Sequence, residues 1–151
     1  MDVRSCLQQI EEQFPNLDIR RVTPITEGWD SLVLDIDGER IFRFPRRPDV
    51  ERQLHKELAL LPALADVLPV AVPRFDYVGR KADGTPGAFV GYRKIAGEPL
   101  SSRHLAQGHA AGVAKQIAQC LSALHAFPVP QAIALGVPAG DAQTWQGKYE
   151  D

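Results

Sequence analysis

The chain has 151 residues, with 17 Lys and Arg against 19 Asp and Glu, a formal net charge of −2 and a hydrophobic fraction of 44%. That apolar share can build a core and excludes wholesale disorder. The charge balance gives no reason to expect nucleic acid as a partner, and the apolar runs are too short for a membrane span. Met1-Asp2-Val3-Arg4-Ser5 lacks the apolar stretch of a signal peptide, so a cytoplasmic location is expected. The length suits one domain, or one lobe and part of a second.

In chain order, Asp2 can cap a first helix whose apolar face is Val3, Leu7, Ile10 and Phe14, with Pro15-Asn16 as its stop. The stretch from Ile19 to Glu27 is expected to be a strand, with Pro24 marking an edge or a bulge. A turn at Gly28-Trp29-Asp30 leads to a second strand over Ser31 to Ile36. Asp37-Gly38 is a strong two-residue hairpin signal, and Arg40 to Phe44 follows as the third strand, closed by Pro45. Pro48-Asp49 opens a helix carrying Val50, Leu54, Leu58 and Leu61, with Pro62 expected to start a new turn rather than continue it. Pro69 and Pro73 bracket an extended link. A fourth strand is expected over Arg74 to Gly79 and a fifth over Ala88 to Ile95, with a loop over Ala82 to Gly87 between them. Ala96-Gly97-Glu98-Pro99 is a flexible connector.

Beyond the connector the pattern turns helical. A helix from about His109 to Ala126 carries Val113, Ile117, Cys120, Leu121 and Leu124 on one face, and Pro128 and Pro130 are expected to stop it. A last helix is expected from Asp141 through Trp145 and Tyr149. It has no stop signal, and it ends on Glu150-Asp151, where the helix dipole favours cations. This helix therefore reads as interrupted, and the chain as the front part of a longer protein. Cys6 and Cys120 read as two reduced thiols. They and His55, His104, His109 and His125 show no metal-ligand spacing.

The succession of strand, Gly turn, strand, hairpin, cation-bearing strand, acid-bearing helix, two strands, connector and helix is that of a kinase-type nucleotide-binding lobe. In such a lobe the turn approaches phosphates, the cation holds them, the acid orients the cation, and the connector offers backbone groups to the base. Here the turn is Glu27-Gly28-Trp29-Asp30-Ser31, the cation Arg43 and the acid Glu57. Taken singly, the turn equally suits an ordinary hairpin, Arg43 an exposed strand position and Glu57 a solvated helix charge. Arg43, flanked by Phe42 and Phe44, needs a partner if it is buried.

Several stretches resemble the aminoglycoside phosphotransferase family. They are Glu27 to Ser31, Ile41-Phe42-Arg43-Phe44-Pro45-Arg46-Arg47, Lys56-Glu57-Leu58, Leu68 to Pro73, Phe89 to Leu100 and Leu121-Ser122-Ala123-Leu124-His125-Ala126. The run Arg43 to Val50 is also similar to macrolide phosphotransferases. The resemblance implies an α+β, protein-kinase-like N-terminal lobe with a five-stranded antiparallel sheet plus helix, followed by the first helices of a truncated C-terminal lobe. It implies a nucleotide-binding lobe over residues 1–95, a hinge over 96–100 and an incomplete helical lobe over 101–151. Gly28 and Ser31 would lie over the phosphates. Arg43, where many relatives have Lys, would contact them and pair with Glu57. Tyr92, Arg93, Lys94 and Ile95 would form the hinge against the purine, with Tyr92 narrowing the pocket in favour of GTP.

The implied reaction is Mg²⁺-assisted transfer of the γ-phosphate of GTP or ATP to a hydroxyl of a small antibiotic-type substrate. The family's catalytic loop, a His-Gly-Asp with Asn five residues later, does not occur in this sequence. No catalytic or metal-binding residue is therefore assigned, the metal ligands are expected outside this chain, and this chain alone is expected to be inactive. Asp35-Ile36-Asp37-Gly38 is read as turn chemistry, and His125 as a packed histidine. Two other readings stay open, a non-catalytic module that binds nucleotide or a partner chain and a remnant that folds and associates. An uncovered helical face at Val113, Ile117, Leu121 and Leu124 would invite self-association.

Overall fold

The computed structural model describes residues 2–26, 28–98, 100 and 110–139. The first helix, α1 (Val3–Gln13), starts at Asp2, whose Oδ1 accepts the Ser5 N–H at 2.8 Å. This bond satisfies an orphan donor of the first turn and holds the Asp2 carboxyl below its usual range. Five strands follow: β1 (Val22–Ile25), β2 (Ser31–Ile36), β3 (Arg40–Pro45), β4 (Phe75–Arg80) and β5 (Pro86–Arg93). Helix α2 (Pro48–Ala65) joins β3 to β4, and α3 (Ala110–His125) and α4 (Val129–Ala134) come last. The strands form one antiparallel sheet in the order β1-β2-β3-β5-β4. The last strand in sequence thus lies between β3 and β4.

Strand alternation gives the sheet two unlike faces. Leu32, Leu34, Ile36, Phe42, Phe44 and Phe89 pack with Cys6 and Ile10 of α1 into the main core. Phe44 and Phe89 stack with ring centroids 4.6 Å apart. Gly91 faces Phe42, and a Cβ there would come within 2.5 Å of the Phe42 ring. The opposite face carries Val33, Asp35, Ile41, Arg43, Val90 and Tyr92 in cross-strand register. Helix α2 covers part of that face. Leu54 is buried there, Glu57 bonds to Arg43, and Glu51 pairs with Lys81 just beyond β4.

The structure departs from the sequence reading at several boundaries. Strand β1 begins at Val22 rather than Ile19, because the Arg20 and Arg21 N–H groups donate to the Asp37 carboxylate instead of a neighbouring strand. Pro24 does lie in an edge strand, where its missing N–H is tolerated. Pro62 does not restart α2 but lies inside it. The buried Leu54 and Leu64 anchor the helix on both sides of the lost hydrogen bond. Strand β5 starts at Pro86 and stops at Arg93, so Lys94 and Ile95 lie past its end. Helix α3 does end at His125, ahead of Pro128 and Pro130 as expected, and Pro130 then sits in the first turn of α4, where its missing N–H would have no partner anyway. The helix expected from Asp141 lies outside the described residues. No helix among the described residues is long and apolar enough to cross a membrane.

Candidate functional site

Arg43 stands at the centre of the sheet, opposite Val33 on β2 and Val90 on β5. Its Nη2 donates to Glu57 Oε2 at 3.0 Å. Glu57 lies one turn after the buried Leu54, so the packing of α2 aims its carboxylate at the sheet. The two side chains are 24% and 22% exposed. This is shielded enough to hold a fixed geometry and open enough for a ligand to approach. One N–H of the guanidinium goes to Glu57 and another serves the Tyr92 hydroxyl, which leaves only the remaining N–H groups of its planar fork to an anion. Tyr92, half-buried, completes the group. Burial pushes its phenol up, while the Arg43 guanidinium, through its charge and a hydrogen bond, works against that rise.

Ser31 shares this face by alternation with Val33. The turn before it has Gly28 at φ +137°, a conformation that favours glycine. The turn is tied to the β3–α2 loop, because the Asp30 carbonyl accepts the Arg46 N–H at 3.0 Å and its carboxylate accepts Arg47 Nη2 at 2.6 Å. Trp29, at the tip, is 86% exposed.

The structure thus brings Ser31, Arg43, Glu57 and Tyr92 to one face, with Gly28 at its margin. The other three candidates lie at or beyond the end of β5, and among them Lys94 reaches back to Asp35 on this same face. Arg93 faces the α1 side, where a hollow of about 810 Å³ is lined by Arg40, Arg74, Asp76 and Lys94 among others. The Lys94 Nζ donates to Asp35 Oδ2 at 2.6 Å. Ile95 is exposed on the connector. Asp35 is the residue the sequence reading left in a turn role only. It has that role, accepting the Gly38 N–H at 2.8 Å, but it is also buried and ion-paired. The signal was present, since a carboxylate inside Leu32-Val33-Leu34-Asp35-Ile36 demands a partner as Arg43 does. Among the described residues no three His, Cys, Asp or Glu side chains gather to hold a metal ion.

The model of the phosphotransferase enzyme family matches residues 21–148. The chain is similar to the GDP complex of wild-type aminoglycoside 2'-phosphotransferase-IIIa, with 33% identity over 96% of this chain and 49% of that one, at a TM-score of 0.87. It is similar to the GDP and kanamycin complex of APH(2")-IIIa, with 35% identity over 90% and 46% and a TM-score of 0.82. It shares the fold of macrolide 2'-phosphotransferase MphH from Brachybacterium faecium, at 22% identity, 97% and 51% coverage and a TM-score of 0.69. The chain spans about half the length of these structures. No curated protein sequence matches it. The five-stranded antiparallel lobe with its helix is the N-terminal lobe of these kinase-like neighbours, and the chain belongs to the phosphotransferase enzyme family.

Proposed function

We propose that this chain is the nucleotide-binding part of a small-molecule phosphotransferase that moves the γ-phosphate of GTP or ATP to a hydroxyl of an aminoglycoside-type antibiotic. The observation that carries the reading is the Arg43–Glu57 pair, set at 3.0 Å on the sheet face that Ser31 and Tyr92 share. In this reading Arg43 binds the α- and β-phosphates, Glu57 keeps the guanidinium from swinging away, and Ser31 and the Gly28 turn close over the phosphates. Val33 and Ile41 supply an apolar roof for the base, Tyr92 narrows its pocket, and the connector from Arg93 to Ile95 runs along its edge. Two relatives of 33% and 35% identity carry GDP, which supports GTP as the preferred donor. Kanamycin in the second supports the aminoglycoside class over macrolides. The acceptor hydroxyl needs a base that this sequence lacks in the family's His-Gly-Asp form, so the chain by itself binds the donor without turning it over.

A second reading is a partner-binding module or a self-associating chain. Ile117, Leu121 and Leu124, all exposed on α3, favour it.

The test is the melting temperature and binding isotherm of the chain with GTP and with ATP. A ligand that binds the native state raises the melting temperature, and the stabilisation grows with the logarithm of its concentration relative to Kd. GTP is expected to stabilise the chain more than ATP, and Arg43→Ala to weaken GTP binding about tenfold or more. If neither nucleotide shifts the transition at millimolar concentration, the nucleotide-binding reading falls.

A further inference from the structure

The segment leaving β5 is bolted to the β2–β3 turn at two points. The Lys94 N–H donates to the Glu39 carbonyl at 2.8 Å, and its Nζ donates to Asp35 Oδ2 at 2.6 Å. The other oxygen of Asp35 is occupied by the Gly38 N–H. One buried carboxylate thus holds both the turn and the first residue of the connector. The turn is itself fixed. Asp37 and Gly38 both have positive φ, as a tight I′ hairpin requires, and the Asp37 carboxylate takes the N–H groups of Arg20 and Arg21 ahead of β1. The start of the connector is therefore attached to a turn that is itself held by hydrogen bonds. A free ammonium on a four-carbon stem would roam, whereas this one is committed.

We propose that Lys94 and Asp35 form a positioning device that sets the path of the connector at Ile95 and Ala96, and so the backbone edge presented to the nucleotide base. Lys94 acts through Asp35 and does not itself contact the phosphates. The proposal rests on the nucleotide-binding reading above. A neutral residue at Lys94 leaves a buried carboxylate without its cation, and that carboxylate can no longer hold turn and connector together.

The experiment compares wild type, Lys94→Met and Lys94→Arg, each titrated with GTP and with inorganic tripolyphosphate, which has phosphates but no base. Lys94→Met is expected to weaken GTP binding about tenfold while leaving tripolyphosphate unchanged, and Lys94→Arg, which keeps the cation, to recover most of the loss. Equal GTP affinity in wild type and Lys94→Met overturns the proposal, as does an equal loss for both ligands. Amide exchange of the ligand-free chain separates this from the parent reading. Exchange at Gly38, whose N–H donates to Asp35, and at residue 94, whose N–H donates to the Glu39 carbonyl, is expected to quicken in Lys94→Met, and unchanged exchange overturns the device. Quickened exchange in a chain whose wild type binds no GTP removes the nucleotide reading and leaves the bolt in place.

Discussion

Arg47 reaches back from the head of α2 to Asp30, with Nη2 and Oδ1 2.6 Å apart, while the neighbouring Arg46 N–H donates to the Asp30 carbonyl at 3.0 Å. One residue of the glycine turn is thus held by side chain and main chain to the loop that starts the acid-bearing helix. Arg47 also bonds Asp49, so its guanidinium bridges two carboxylates. All three side chains are well exposed, and such pairs add little to global stability in water. The expected outcome for Asp30→Ala is an unchanged unfolding midpoint with faster amide exchange at Ser31 and Arg46, because only local opening is affected. Unaltered exchange would show that the main-chain bond alone holds the turn.

The contact between Gly91 and Phe42 predicts a large response to one methyl group. A Cβ at Gly91 would meet the Phe42 ring at 2.5 Å, and the ring is fully buried among Tyr77, Phe89 and the β2 leucines. Gly91→Ala should cost about 1–3 kcal/mol in urea unfolding, the usual penalty of overpacking. Gly91→Ala combined with Phe42→Leu should cost less than the two single changes together, since the smaller side chain makes room. Additive costs would mean that the strain is carried by the backbone instead.

Cys6, on the inner face of α1, is fully buried, and burial pushes its thiol up to about 11 from an ordinary 9.0. The folded state therefore keeps its proton where the unfolded chain loses it. The contribution is complete below about pH 9 and declines as pH rises toward 11. The chain should lose stability over that alkaline interval, and Cys6→Ala should flatten the slope. In the native protein at neutral pH a thiol reagent should modify Cys120, which is partly exposed, and leave Cys6 until denaturant is added. Equal labelling of both thiols in the native state would contradict the buried placement.

Local chemistry was largely legible in the sequence. The alternation Ile41-Phe42-Arg43-Phe44 sends Phe42 and Phe44 one way and Arg43 the other, and Asp37-Gly38 forms the hairpin it signals. Asp2 caps α1. Chain order also placed Glu57 on the helix after the Arg43 strand, though the 3.0 Å contact itself needed coordinates. Long-range pairings were not legible. Nothing local to Lys94 announces Asp35, which lies 59 positions away. The ladder between β3 and β5 is equally silent in sequence, because strand order depends on which hydrophobic faces meet and not on either strand alone. Pro62 misled for a related reason. Its local cost is real, but burial of Leu54 and Leu64 outweighs it.

The sheet order has a kinetic consequence. The β2–β3 and β4–β5 hairpins each close locally, but they become one sheet only when β5 docks beside β3 across the whole of α2 and β4. That step closes the longest loop in the sheet, and its chain entropy is spent before the Phe42, Gly91 and Arg43 contacts repay it. The residues that bring Arg43 and Tyr92 onto one face therefore sit on the seam expected to form last. Stopped-flow refolding of Gly91→Ala reads this directly: with the seam formed after the barrier, unfolding quickens and refolding keeps its wild-type rate.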